Sequence, residues 1–579
     1  MRKIRGLIYE YYPLILILVL SVLLIMPQMR NRSIIFGADA HFHFNRLYDN
    51  YMQLKTHNFS IFQSNFGFFQ SGRIINAVYG PGFAWLLSLI LYLVHSWAKF
   101  QIVTSFLIYV FSGIFMYLLA QRINTNKKYA TIASLLFISS YWITSWSYVE
   151  SYMSWGTMLM PLVIIMGINM IEFDKKGLSI LSLSLIIAAM FQIHVLSFLL
   201  SILTLIPFFI IGLIKNKDKK GLLKKVLIAA GIAIILTINV WLPLLEVYSS
   251  NSIISVTPTA NMAKMAVVLT LHETEFLEIG FAFSSLAIFT AIYFIVNRKK
   301  IQLTDKTLII IGLVFLVLST KLLPWKFIGQ HVTSLQSTFQ FPYRFLTMAT
   351  VLLIPVGCKM LSNITFKKNL TNRVFSVFII LATTLSCFQT YQYINKRAKI
   401  WNTNKVISTQ TKVRKSETFN PKKYRSEMKS NDLGKGLNEV TKAFLDYLPN
   451  HSGKDIYKTH NPYKLYIDEI LHNQDGFKKR VVKDKLIISW YSHNNQQKRI
   501  PVFVYHNSKV IVNGKYYAHN NLQLSDLSVP KVKSKVGYNE LTISYRSRLV
   551  TPNLLIFVLL MWIGMIVVLI LKYIKKLRC

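Results

Sequence analysis

The sequence predicts a mainly α protein: a polytopic transmembrane helix bundle of about twelve crossings with a small extracytoplasmic β-rich domain. Three observations predict it. Hydrophobic residues make up 53% of the 579 positions and charged residues only 16%, a balance too apolar for an ordinary soluble enzyme. Apolar runs of about 20 residues recur along the chain, and in hydrocarbon only helices of that length satisfy their own backbone groups. A single long polar stretch, residues 393–550, separates the last two of these runs.

The first run covers residues 11–28, and Arg2, Lys3 and Arg5 hold its start in the cytoplasm. No small-residue cleavage site follows it, so it is expected to remain as an anchor. Residues 29–79 are then outside. Runs at 80–97, 102–120, 129–148 and 154–171 follow, and the basic loops Gln121–Lys128 and Asp174–Lys176 both belong inside. The region 80–120 must therefore cross an odd number of times, which makes one of its two runs re-entrant or interfacial. Residues 178–213 are long enough for a hairpin turning outside near His194. Crossings near 226–245, 277–297, 306–323, 344–362 and 374–392 alternate from the basic loop Lys215–Lys225, and 551–571 is the last, with a basic cytoplasmic tail. The resulting domains are 1–392, the bundle with its outer loop 29–79; 393–480, a basic arm with short helices near 435–447 and 463–472; 481–550, a β-sandwich-like domain; and 551–579, the final helix and tail.

The strands are expected at Leu486–Tyr491, Pro501–Tyr505, Lys509–Val512, Lys515–Tyr517 and Glu540–Tyr545. Asn513-Gly514 between two of them signals a tight hairpin, because both turn positions need positive φ. The segment 393–550 holds 30 Lys+Arg against 12 Asp+Glu, a net of +18. Large domains translocate despite positive charge, so the topology stands.

The formal net charge of the whole chain is +42, much of it in loops suited to anionic lipid. No nucleic-acid motif accompanies that charge, so nucleic acid is not an expected partner. Cys358, Cys387 and Cys579 lie in or beside apolar runs and offer neither a disulfide framework nor a thiolate metal cage.

Polar residues assigned to the outer loops form the candidate site: Asp39, His41, His43, Arg46, Tyr79, Tyr148, Glu150, Tyr152, His194, His272, Glu273, Glu275, Trp325, Lys326, His331, Tyr343 and Arg344. In Gly37-Ala38-Asp39-Ala40-His41-Phe42-His43-Phe44-Asn45-Arg46, a helix would align Asp39, His43, Arg46 and Asn50 in one polar stripe. Asp39 suits a general base or a ligand for a divalent metal, and its bland alternative is a helix cap. His43 and Glu150 join it as candidate catalytic groups. Arg46, Tyr79, Lys326, Tyr343 and Arg344 are candidate substrate-binding groups. Arg344, in Phe341-Pro342-Tyr343-Arg344-Phe345, opens a crossing where a lipid-linked phosphate would lie, and a guanidinium binds phosphate bidentately. Its alternative is snorkelling to head groups. His272-Glu273-Thr274-Glu275 reads as a solvated loop, with metal ligation as its alternative; His194 reads as a satisfied loop-tip histidine rather than a ligand; and Tyr79-Gly80-Pro81-Gly82 reads as a helix-starting breaker whose glycines would also allow close backbone approach by a lipid tail or phosphate. The middles of the expected crossings hold almost no ionisable residue, which counts against an ion-coupled transporter.

An N-terminal helix, an outer loop with an acid (Gly37-Ala38-Asp39-Ala40-His41) and the helix start Tyr79-Gly80-Pro81-Gly82 resemble the GT-C class of membrane glycosyltransferases. Phe339-Gln340-Phe341-Pro342-Tyr343-Arg344-Phe345-Leu346 and the Val510–Lys515 hairpin resemble bacterial membrane proteins named as 6-pyruvoyl-tetrahydropterin-synthase-related, and the neighbouring YfhO-like family. That resemblance implies transfer of a sugar from a polyprenyl-phosphate donor, on the outer face of the cell membrane, to a cell-envelope acceptor such as a teichoic acid or glycolipid. It places the GT-C acid at Asp39. Many GT-C enzymes carry two acids close together here, whereas the next in this chain is Asp49, and this departure sets metal dependence in question. The competing readings are a lipid or polymer transporter and a non-catalytic envelope-assembly protein whose basic domain tethers an anionic polymer.

Overall fold

The computed structural model describes residues 2–269, 277–408, 413–415, 419–459 and 461–578. The chain is mainly helical, and seven of the described helices are long and apolar enough to cross a membrane: Tyr9–Asn31, Trp97–Arg122, Met153–Ile171, Val195–Lys215, Pro342–Ser362, Asn369–Ile400 and Pro552–Lys572. Lys219–Leu236 and Ile238–Ser250, bent by 67° at Thr237, make an eighth if they count as one span. Other apolar runs that were expected to cross fold as shorter or broken helices. Pro81–Val94 has 14 residues, about 21 Å of helix against a hydrocarbon core of about 30 Å. The run 129–148 breaks at Ser139-Ser140 into Lys127–Ile138 and Tyr141–Val149, whereas the run 178–213 divides at His194 into Ile180–Ile193 and Val195–Lys215, where its turn was expected. Of the two runs in 80–120, only Trp97–Arg122 has the length to span by itself.

The backbone divides into two compact units. The first comprises Met1–Ile35, Gln101–Ala233 and Pro258–Asn402. Its most enclosed span is Pro342–Ser362, which Pro342 begins at the first turn, where a missing N–H costs nothing. Small residues let helices approach: a Cβ on Gly312 would meet Leu353 at 2.7 Å, and one on Gly167 would meet Phe208 at 2.8 Å. Ionisable groups gather at helix ends. Arg122 bonds Asn169 and Glu172 (2.9 Å), Thr304 donates to Glu172, and Lys359 pairs with Asp305 at 2.6 Å. The ends of four helices thereby share one polar layer, and these ends adjoin the basic loops expected on a common side.

The second unit comprises Phe36–Phe100, Ile234–Thr257 and Thr403–Cys579. A five-stranded antiparallel sheet runs in the order Phe477–Val482, Lys485–Ser492, Gly537–Tyr545, Ser508–Val512, Lys515–Tyr517, beside a three-stranded sheet of Gln523–Leu524, Pro530–Lys533 and Gln497–Arg499. Leu486, Ile488, Trp490, Val510, Leu541 and Ile543 from the larger sheet pack with Ile500, Val502 and Val532 in one core. The Asn513-Gly514 turn forms as expected, with φ of 49° and 81°, and pairs Val512 with Lys515. Pro501–Tyr505 is not a strand. Its residues are buried, but the Phe503 N–H goes to Ser71 O (2.9 Å) and the Val504 N–H to Ser528 O (3.0 Å), so the apolar run bridges elements instead of joining a ladder. The helix expected over 435–447 is only Lys435–Asn438, followed by the strand Val440–Lys442. Near 463–472 the chain is helical, as Pro462–Tyr466 and then Ile467–Leu471.

Candidate functional site

Helix Ala40–Thr56, in the second unit, carries the polar segment. Asp39 occupies its N-cap position, is exposed, and makes no side-chain cap hydrogen bond. Its carboxylate therefore stands at the positive end of the helix dipole without serving the cap. Lys442 donates to Ala38 O at 2.8 Å, so a cation adjoins the same turn.

The rest of the stripe is enclosed. His43 is buried against Phe42 and Tyr79, with ring centroids 5.3 and 6.1 Å away. His41 is buried and stacks on Phe444 at 5.7 Å; burial, then the charge of Lys442, push its pKa down to about 3, so the ring is neutral. Arg46 is 1% exposed and bridges the start of helix Pro81–Val94. It donates to Asn76 Oδ1 (3.0 Å), Tyr79 O and Gly80 O (2.9 Å), and Asn76 in turn donates to Asn50 Oδ1 (3.0 Å). Asp49, the second acid of the segment, is also enclosed. It accepts from the N–H groups of Phe66 (2.7 Å) and Gly67 (3.2 Å) and from Gln53 (2.8 Å). Burial raises its pKa to about 6, against the lowering effect of those donors. Gly67 is required there, because a Cβ would lie 2.4 Å from Asn45 O. Arg73, which sequence reading passed over, is fully buried, donates to Phe444 O (2.6 Å) and lies 4.9 Å from the Phe68 ring.

The remaining candidates belong to the first unit. Glu150 ends helix Tyr141–Val149 with φ of 59° and is 1% exposed. It accepts from Gln101 Nε2, and the same amide grips Ile35 by donating to its O (2.7 Å) and accepting from its N–H (3.0 Å). Gln28 donates to Gln101 Oε1 at 3.0 Å. An amide, Gln101, in the first turns of the apolar run 97–122 is the signal that could have found this network. Tyr343 stacks on Trp142 at 5.4 Å. Arg344 is half-buried and folds onto its own turn, donating to Phe339 O (2.5 Å) with its guanidinium 4.6 Å from the Phe341 ring. Lys326 is exposed on helix Trp325–His331. His194 Nδ1 accepts from Ser197 N at 3.2 Å, which makes it a helix cap. His272, Glu273 and Glu275 lie outside the described residues.

Among the described residues, no three His, Cys, Asp or Glu side chains converge to hold a metal ion. Asp39 offers a divalent cation one exposed carboxylate, with its nearest acid on the same helix, Asp49, already enclosed by donors. Among the described residues, then, no protein-built metal cage forms around Asp39.

No family model matches the chain, and no curated protein matches it. Among solved structures, the arabinofuranosyltransferase AftD from Mycobacteria is similar at 12% identity and a TM-score of 0.43, over 68% of this chain and 28% of that one. The chain thus matches less than a third of that protein's length, and a likeness of this degree leaves the activity to be argued from the residues.

Proposed function

We propose that the chain is a membrane glycosyltransferase that moves a sugar, with inversion, from a polyprenyl-phosphate donor to a cell-envelope polymer or glycolipid on the outer face. The reading rests on the GT-C-like motifs, on the apolar helices, and above all on one observation. Of the polar groups at the start of helix Ala40–Thr56, Asp39 is exposed, whereas His43, Asn45, Arg46, Asp49 and Asn50 are buried.

Asp39 is the general base: it takes the proton of the acceptor hydroxyl as that oxygen bonds to the sugar carbon, and the lipid phosphate leaves with the bonding electrons of the broken bond. His43, buried one turn beyond Asp39, is a positioning residue. Arg46, bound to Tyr79 O and Gly80 O, and Glu150, bound to Gln101, are positioning residues in this reading.

Asp39→Asn should abolish the sugar modification at unchanged protein level. Mass spectrometry of envelope polymers from cells with and without the protein, and from the variant, reads it as a missing hexose or hexosamine mass. Normal glycosylation in the Asp39→Asn cells would overturn the reading.

A further inference from the structure

The outward face of the five-stranded sheet in the second unit carries a set of residues that the core does not need. Strand alternation places Lys478, Arg480 and Val482, then Lys485, Ile487, Ser489 and Tyr491, then Tyr538, Glu540, Thr542 and Ser544, then Lys509 and Ile511, and then Tyr516 on that face. Three of its rings are largely in solvent: Tyr491 is 65% exposed, Tyr538 63% and Tyr516 58%. Tyr491 and Tyr538 are direct cross-strand partners, and Tyr516 stands on the opposite edge strand. Lys478, Arg480, Lys485 and Lys509 are all exposed, while the one acid, Glu540, is engaged by Arg480 (3.2 Å) and by the Tyr538 hydroxyl (3.1 Å).

We propose that this sheet face binds an anionic glycan, a chain of sugar rings bearing phosphate or carboxylate groups, and this deepens the sugar-transfer reading by naming where the acceptor polymer is held. Tyrosine offers a rigid ring for the apolar face of a sugar at low entropic cost, and a hydroxyl for its polar edge. The row Lys478–Ser489–Glu540 lies between the tyrosine pair and the row Arg480–Ile487–Thr542–Ile511–Tyr516, so a cation and a hydroxyl stand beside the paired rings and the Tyr516 ring closes the far edge. Charge complementarity makes the partner anionic. A nucleic acid carries a phosphate about every 3.4 Å of strand and calls for a denser basic groove. A membrane surface calls for inserting Leu, Phe or Trp, none of which is exposed on this face.

The test uses the full chain in detergent and four probes: a wall polymer of glycerol phosphate bearing glucose, maltoheptaose, a thymidine oligonucleotide and phosphatidylglycerol vesicles. The glucosylated polymer should bind tightest, with an affinity that falls as salt rises. Tyr491→Ala/Tyr538→Ala should weaken it about tenfold at an unchanged melting temperature. Lys478→Ala/Lys485→Ala/Lys509→Ala should weaken it and flatten its salt dependence. Unchanged polymer affinity in the folded tyrosine variant overturns the proposal, as does tighter binding of the oligonucleotide or the vesicles. Asp39→Asn should bind the polymer normally, so a failure of the transfer reading shows in envelope glycosylation and a failure of this one in binding.

Discussion

The guanidinium of Arg46 donates to the carbonyl oxygen of Tyr79 and lies 4.8 Å from the centre of that residue's ring. With Gly80 O and Asn76 Oδ1 as further acceptors, Arg46 ties helix Ala40–Thr56 to the start of Pro81–Val94. Arg46→Ala would leave these buried acceptors without a donor and should cost about 2–4 kcal/mol. Arg46→Lys should recover little, because an ammonium lacks the planar fork. Thermal melting of the detergent-solubilised variants without any ligand reads this; a residue that only bound substrate would leave the melt unchanged.

Asp49 makes stability depend on acidity. Its pKa in the fold is raised to about 6 by burial, above the ordinary carboxylate value of 3.8. The fold therefore favours the protonated acid, and the stability this group contributes is full below pH 4 and lost as the pH rises through 6. The swing is on the order of 2–3 kcal/mol at most. Asp49→Asn should flatten that portion of the stability profile, measured by denaturant unfolding of the two proteins between pH 4 and 7.

Gly514 isolates a backbone effect. Its φ is +81° and a Cβ would meet nothing within 4 Å, so Gly514→Ala adds no clash and loses no contact. The substitution should destabilise the hairpin by about 1 kcal/mol from the left-handed conformation alone. Gly514→Asn should recover much of that, as a shift in melting temperature.

Gln101 joins three segments of the first unit, Gln28, Ile35 and Glu150. Gln101→Leu fits the apolar run better but strips all three of a partner. Bonds between membrane helices are worth about 0.6 kcal/mol on average, so a loss of about 2 kcal/mol is expected. Gln101→Glu should lose more, because it places a second carboxylate against Glu150. Proteolysis of the bundle in detergent compares the variants.

Local features were legible without the fold. Apolar runs marked the long helices, Asn513-Gly514 marked the hairpin through its need for positive φ, and Asp39 marked the start of Ala40–Thr56. Pro501–Tyr505 misled because an apolar run records burial, whereas a strand requires a neighbour to pair with, and its N–H groups went elsewhere.

The sequence by itself determined the apolar, multi-helix character of the chain, the hairpin, and the acid that begins helix Ala40–Thr56. Only the tertiary structure decided which polar residues are already committed. Arg46 is held by Asn76, thirty positions away, and Arg73 donates to Phe444 O across 371 positions. The reason is physical: a buried polar group must find a partner or bear the cost of leaving water, and which partner arrives depends on packing between segments remote in sequence.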